Sequence, residues 1–268
     1  MILAKLMRKS YLGIDIGGTY TRIVLLKGLR QQKPRFLKIK TGKTTREVEK
    51  GIHGLIEQIT GGDTKKLAGI GIGIAGSVDR KKGIFLRNDN MPFHRGWEPR
   101  RFLRKFGVPV MVYNDAECFL RAEWLWGAGR GRRNVVGVVI GTGIGGAMII
   151  DGKMVYGAHD RAGEVGFMIM DEKNARVWDS LGAKKAFQRH GDRSRITGLG
   201  IASLINILDP EIVVLGGGGV YSPAFHLEKV RKIVQHFIIT PGANHAPIVK
   251  GKLGDAAQAI GAALLFAD

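Results

Sequence analysis

Three glycine-rich stretches carry the first chemical signal in this chain: Gly17-Gly18-Thr19, Gly141-Thr142-Gly143-Ile144-Gly145-Gly146, and Gly216 to Gly219. A glycine turn presents backbone N–H groups with no side chain to hold a ligand off, and a neighbouring threonine adds a hydroxyl, which together suit phosphate oxygens. Asp15, just ahead of the first turn, is placed to face a hydrated Mg²⁺ ion. A single turn of this kind is equally a plain hairpin, and neither copy matches the P-loop pattern or the dinucleotide fingerprint with its trailing acid. Three of them at strand ends predict one crevice lined for phosphates and a nucleoside, since ligands of open α/β sheets sit at such ends.

Asp115 is the second signal. Phosphoryl transfer needs alignment, charge neutralisation and a proton acceptor beside the attacking hydroxyl. A carboxylate at the end of a strand can be that acceptor. It can also simply cap the following helix, and the local residues leave both roles open. Arg22 reads as a solvated strand residue that could also assist a phosphate.

The elements that must position these residues follow from periodicity. Tyr11 to Ile16 and Ile23 to Leu26 read as strands around the first turn, forming a hairpin. Val48, Ile52, Leu55, Ile56 and Ile59 recur at helical spacing, and Gly69 to Ile74 returns as a buried strand. Val108 to Tyr113 is a further strand, running into a helix from Ala116 to Trp126 with Asn114 or Asp115 as its cap. Val135 to Ile140 and Ala147 to Ile150 repeat the opening hairpin around the second glycine turn, so the chain contains two related halves. A helix around Leu199 to Leu208, a strand at Ile212 to Leu215 and an Ala-rich helix from Asp255 to Phe266 complete the pattern. Alternating strands and helices predict an α/β protein of two domains, with the boundary near Tyr113.

Composition excludes several classes. The 268 residues, 44% hydrophobic, suffice for buried cores. Runs such as Val135 to Ile140 are too short to cross a bilayer, which takes roughly 20 apolar residues, and Met1 to Ser10 has no signal-peptide stretch; no membrane association and a cytoplasmic location are expected. The one cysteine, Cys118, can form neither an internal disulfide nor a cysteine zinc cage and reads as a small buried helix residue. The net charge of +19 predicts a positive field that draws in acidic partners. The cations are dispersed along the sequence, the stretch from Lys184 to Arg195 contains only Phe187 as an aromatic, and no dedicated nucleic-acid site is expected.

Taken in order, these motifs resemble the ROK family of repressors, open reading frames and kinases, which includes glucokinases, and the resemblance spans most of the chain. Asp15-Ile-Gly-Gly-Thr19 is similar to the family's first phosphate motif and Gly141 to Gly146 to the second. Ala75-Gly76-Ser77-Val78-Asp79 and Asn90-Met-Pro92 are similar to segments lining the sugar pocket. Asn114-Asp115-Ala116 resembles the dipeptide bearing the catalytic aspartate, Gly163-Glu164-Val165-Gly166 the sugar-binding glutamate segment, and Gly216 to Gly219 with Gly254-Asp255-Ala256 the adenosine-side elements. The resemblance implies an actin-like ATPase (ribonuclease H-like) fold: two α/β domains with an interdomain cleft, a smaller one from 1–113 plus 254–268 and a larger one from 114–253. It implies an ATP-dependent hexose kinase, with glucose as the first expected substrate and a homodimer as the expected assembly. Asp115 would be the base. Gly76, Asn90, Asn114, Glu164 and Asp179 would bind the sugar. Asp15, Gly17, Gly18, Thr19, Gly141, Thr142, Gly143, Gly217 and Gly218 would bind ATP, with Mg²⁺ held by Asp15 through water. The alternative is a sugar-responsive regulator, against which it counts that only Met1 to Ser10 precedes the first strand, or a catalytically silent sugar-binding member of the family.

The chain departs from the family's pattern at several positions. Phe167 stands where a histidine is usual and the zinc-binding cysteine cluster is absent, so no structural zinc is expected and the sugar's identity is open; His159 is the nearby ring that could substitute. Asp179 stands where a longer glutamate is usual, Tyr20 where a lysine or asparagine is familiar, and the segment between Gly182 and Ile212 is shortened.

Overall fold

The computed structural model describes residues 9–29, 34–88, 91, 95–183, 185–186, 189, 192–239 and 246–267. The chain divides into two compact units of similar size, Met1–Ala122 with Asp255–Asp268, and Glu123–Gly254.

The first unit runs β1 (Ser10–Ile16), β2 (Tyr20–Lys27), β3 (Arg35–Lys40), α1 (Thr45–Thr60), β4 (Leu67–Ile74), β5 (Ser77–Asp79), β6 (Ile84–Arg87), α2 (Pro99–Leu103), β7 (Val110–Asn114) and the start of α3 (Asp115–Leu125). Its main sheet has the order β3-β2-β1-β4-β7. β1, β2 and β3 pair antiparallel, whereas β1, β4 and β7 are parallel. The expected hairpin, the helix and both parallel strands are all present; β3, too polar to stand out by periodicity, is an addition. The apolar residues of α1, Val48, Ile52, Leu55, Ile56 and Ile59, are all buried against the sheet. Thr44 caps this helix by accepting the Glu47 N–H at 3.2 Å, and Glu47 returns the bond to the N–H of Lys43 at 2.7 Å.

The second unit runs β8 (Val135–Ile140), β9 (Ile144–Ile150), β10 (Lys153–Met154), β11 (Ile169–Asp171), β12 (Arg176–Val177), α4 (Trp178–Gly182), α5 (Ser194–Leu208), β13 (Ile212–Gly216), α6 (Leu227–Phe237) and β14 (Ile248–Lys250). Its sheet order, β10-β9-β8-β13-β14, repeats that of the first unit, with β8 to β10 antiparallel and β8, β13 and β14 parallel. The two halves read from the glycine turns are therefore the same topology built twice. Trp178, fully buried, centres the core of this unit with Ile201, Val213 and Leu215.

The expected Ala-rich C-terminal helix returns to the first unit, but in three pieces: a 3-10 turn at Gly254–Ala256, α7 (Ala257–Ala263) and a second 3-10 turn at Leu264–Phe266. A methyl group on Gly71 of β4 would overlap the carbonyl of Ala262, so the alternating glycines of β4 let α7 lie directly on the backbone of the sheet. The boundary expected near Tyr113 moves to Ala122, because β7 pairs with β4 and Cys118 of α3 packs with Ala262 and Leu265. Asp115 accordingly belongs with the first glycine turn rather than with the second. Cys118 is buried on its helix, as expected. Among the described residues no helix is long and apolar enough to cross a membrane.

Candidate functional site

In the first unit, the β1–β2 turn is closed by the N–H of Gly17 donating to the carbonyl of Tyr20 at 3.1 Å. Thr41 braces it from below: its hydroxyl donates to the Gly17 carbonyl at 2.7 Å and its N–H to the Thr19 carbonyl at 3.0 Å. Gly18 and Thr19 are exposed, and a methyl group on Gly18 would meet nothing within 4 Å, so the turn can be approached closely.

Asp15, the residue before this turn but one, is buried, at 2% exposure. Burial pushes its carboxyl from the ordinary 3.8 up to about 7; Arg22 opposes that rise, and the negative charges of Asp115 and Asp255 add to it. A buried carboxylate held up in this way gains from any cation brought beside it, so Asp15 fits a role in holding a hydrated Mg²⁺.

Arg22 is not the solvated strand residue expected. The register pairs Asp15 with Arg22 and Arg22 with Lys38, which places all three side chains in a row across β1, β2 and β3. The guanidinium, 18% exposed, donates to Asp15 Oδ2 at 3.0 Å and forks onto Asp255 Oδ1 from Nε at 2.8 Å and Nη2 at 2.7 Å; Lys38 reaches the other oxygen of Asp255 at 2.9 Å. Against the push of partial burial, Arg22 and Lys38 hold the Asp255 carboxyl below the usual carboxylate range. Strand register sets this arrangement, and no local pattern brings in Asp255.

At the β7–α3 junction the cap belongs to Asn114. Its Oδ1 accepts from the N–H groups of Ala116 at 2.7 Å and Glu117 at 3.4 Å, while Glu117 Oε2 accepts the Asn114 N–H at 3.2 Å, a reciprocal capping box. The Asn114 amide nitrogen donates to the Gly76 carbonyl at 2.9 Å. Asp115 opens the helix, with Oδ1 accepting the adjacent Ala116 N–H at 3.0 Å. Gly76 has φ +112°, and a methyl group there would also strike the carbonyl of Arg87, so only glycine fits. Asn90 and Pro92, expected beside Gly76, lie outside the described residues.

In the second unit, Gly141 donates to the Gly143 carbonyl at 2.8 Å, closing a turn between β8 and β9 on which Thr142 is exposed. The third glycine run folds against it: Gly219 N–H donates to the carbonyl of Ile140 at 2.7 Å, and Gly217 takes φ +85° beside that same carbonyl. Gly218, like Gly18, has open space around its Cα. Asp179, at the start of α4, holds the turn from the other side, its Oδ1 accepting the Ile144 N–H at 2.5 Å. The shorter acid thus has a backbone partner that the sequence did not suggest.

Glu164 precedes a 3-10 turn, Val165–Phe167, whose Gly166 lies against the Ile144 carbonyl and 3.5 Å, for an added methyl, from Asp179 Cβ. Burial pushes the Glu164 carboxyl pKa up, and Arg161 draws it back. Glu164, Asp179 and the second glycine turn are therefore gathered at one end of β9. Phe167 is 67% exposed, and His159 lines a cavity of about 410 Å³ with Gly157, Ala158, Arg161 and Ala162. Among the described residues there is no cluster of three or more His, Cys, Asp or Glu arranged for a metal ion.

Residues 11–178 and 179–268 match the model of the ROK family. A glucokinase of Streptomyces coelicolor is 24% identical over 311 residues, covering 94% of this chain and 96% of its own. A putative xylose repressor of Caldicellulosiruptor is 25% identical over 303 residues, covering 93% of this chain and 76% of its own. Among solved structures, a ROK glucokinase from Streptomyces griseus in complex with glucose and AMPPNP superposes with a TM-score of 0.83 at 24% identity, over 96% of this chain and 98% of that one. With its duplicated sheets and glycine turns, the chain has the actin-like ATPase fold and belongs to the ROK family.

Proposed function

We propose that this protein is an ATP-dependent sugar kinase that phosphorylates the hydroxymethyl group of a hexose, with glucose as the first candidate. One observation carries the reading: Asn114 makes the helix cap that Asp115 could otherwise have been kept for, and the charge of Asp115 is felt by the buried Asp15 beside the first glycine turn. Asp115 takes the proton of the sugar hydroxyl as its oxygen bonds to the γ-phosphorus, and the bond from that phosphorus to the bridging oxygen breaks, leaving ADP. Within the turns that Gly17 and Gly141 close, Gly18 and Thr19 and likewise Thr142 and Gly143 offer N–H groups to the phosphates, and Gly217 and Gly218 a flat approach for the nucleoside. Asn90, Glu164 and the backbone at Gly76 hold the sugar hydroxyls, with Asn114 and Asp179 shaping the site. Bound Mg²⁺ would neutralise phosphate charge, and Asp15 is the residue that would hold it.

The test is sugar-dependent ADP release over a panel of hexoses, comparing the wild type with Asp115→Ala. A sugar that stimulates ADP release in the wild type, and at least about a hundredfold less in the variant, supports the kinase. The absence of any Asp115-dependent turnover sinks it and turns attention to the sugar-responsive regulator, which the repressor among the relatives favours.

A further inference from the structure

The net charge of +19 is not spread evenly over the fold. Residues 79–106 hold nine Lys and Arg against three Asp and Glu. The structure brings the two ends of this segment together. At the tip of the β5–β6 hairpin, the Lys82 N–H bonds Asp79 Oδ1 at 2.8 Å, and Gly83, with φ +71°, donates to the Asp79 carbonyl at 2.7 Å, so the turn is closed and ordered. Arg100 of α2 then reaches under the tip, donating from Nη1 to the Lys81 carbonyl at 2.6 Å and from Nη2 to the Arg80 carbonyl at 3.0 Å. Arg80 lies over the ring of Tyr113 at 5.1 Å, fixing the hairpin to β7. Its own charge and that of Arg100 are thus used to build the surface.

What this frame presents outward is cationic. Lys81, Lys82, Arg101, Arg104 and Lys105 are exposed, and Arg95 lies on the loop leading into α2. Lys105 rests on Phe102 and Phe106, at 5.1 and 5.5 Å from the ring centres, which holds its ammonium at the surface. Among the described residues the only ion pair at these five positions is the loose Lys82–Asp79 contact at 3.9 Å. Among the described residues of this segment, Leu86 is the one large apolar side chain exposed, at 38%, which offers little to a lipid bilayer or to an apolar protein face. Five-residue α2 is too short to enter a DNA groove as a recognition helix.

We propose that the β5–β6 tip and α2 form a binding surface for the phosphodiester backbone of nucleic acid, read without regard to sequence. Guanidinium forks match phosphate oxygens, and the lysines add point charges beside them. The proposal uses none of Asp15, Asp115 or the glycine turns and does not depend on the kinase reading.

The experiment measures binding of the full chain to fluorescent single-stranded RNA and duplex DNA of scrambled sequence by anisotropy, from 50 to about 300 mM salt. It compares the wild type with a patch variant (Lys81→Ala, Lys82→Ala, Arg101→Ala, Arg104→Ala, Lys105→Ala) and a charge-matched variant of the second unit (Arg130→Ala, Lys153→Ala, Lys173→Ala, Arg195→Ala, Lys232→Ala). The expected result is wild-type binding whose log affinity falls steeply with log salt, at about 0.9 per phosphate contacted. The patch variant loses at least about tenfold at low salt, with a slope shallower by roughly 3 or more, and the second-unit variant loses less than about threefold. Charge reversal of the hairpin tip alone, Lys81→Glu with Lys82→Glu, reproduces the loss if the five-site variant does not fold. Equal losses in both five-site variants reduce the effect to net charge and overturn the proposal. So does the absence of wild-type binding, or patch-dependent binding to inorganic polyphosphate or phosphatidylserine vesicles with none to nucleic acid.

Discussion

Asp15→Asn should make this protein more stable at neutral pH while removing its activity. Folding lifts the Asp15 carboxyl from 3.8 to about 7. In the native state the group therefore binds its proton more tightly than in the unfolded chain, and the sign follows from that. Below about pH 4 both states are protonated and the group is neutral in its effect. From pH 4 to 7 the unfolded chain releases the proton first, so stability falls as pH rises, and above pH 7 the full penalty stands. Three pH units at about 1.4 kcal/mol each give a penalty on the order of 4 kcal/mol. Asparagine keeps the shape and an oxygen that can accept from Arg22, but never ionises. Urea denaturation in EDTA at pH 4.5, 6 and 8 should show the wild type losing stability across the range and the variant losing markedly less, with the variant the more stable of the two at pH 8. Added Mg²⁺ should stabilise the wild type at pH 8 and leave the variant unmoved. A variant that is less stable by the same amount at every pH would refute the reasoning, because the Arg22 ion pair would then outweigh the burial of the charge.

Three further outcomes follow from the geometry. Asp179→Ala removes the acceptor for the Ile144 N–H and loosens the second glycine turn; it should cost about 1–3 kcal/mol of stability and raise the KM for ATP more than it lowers kcat, with Asp179→Asn recovering part of both. Glu123, fully buried, accepts the N–H groups of Ala128 at 2.8 Å, Lys252 at 3.0 Å and Leu253 at 2.8 Å, tying α3 to the strand-end segment after β14. Glu123→Ala should destabilise by about 2–3 kcal/mol in chemical denaturation, since three part-buried N–H groups lose their acceptor. Gly76→Ala should cost about 2 kcal/mol or more, because the new side chain meets both a disfavoured φ and the Arg87 carbonyl, and sugar-dependent turnover should fall with it.

Much of the framework was legible in the chain itself. The hairpins around the glycine turns, α1, α3, α5 and the strands β4, β7, β8 and β13 declare themselves through short apolar runs or helical spacing of apolar residues, and the duplicated order follows from the repeated glycine turns. α6 was not among the expected elements although Leu227, Val230, Ile233, Val234 and Phe237 recur at helical spacing, and β14 was not because three residues are too few to show a period. The single long C-terminal helix breaks at both ends into 3-10 turns, which alanine spacing does not reveal.

The chemistry divides in the same way. Residue type and motif order by themselves identified Asp15, Asp115, Glu164 and the glycine runs as the places to look, because turn glycines and flanking acids are local properties of the chain. Only the tertiary structure decided what those acids are bonded to. It gave the helix cap to Asn114, which a dipeptide of two good capping residues leaves open, and it placed Asp115 in the unit of the first glycine turn. It drew Asp255, more than two hundred residues from Arg22 in the chain, onto that guanidinium, and set Asp179 against the Ile144 N–H. It also joined the cationic hairpin tip to α2 through the Arg80 and Lys81 carbonyls that Arg100 reaches. Contacts of this kind are set by strand register and chain crossing, which no local window of sequence contains.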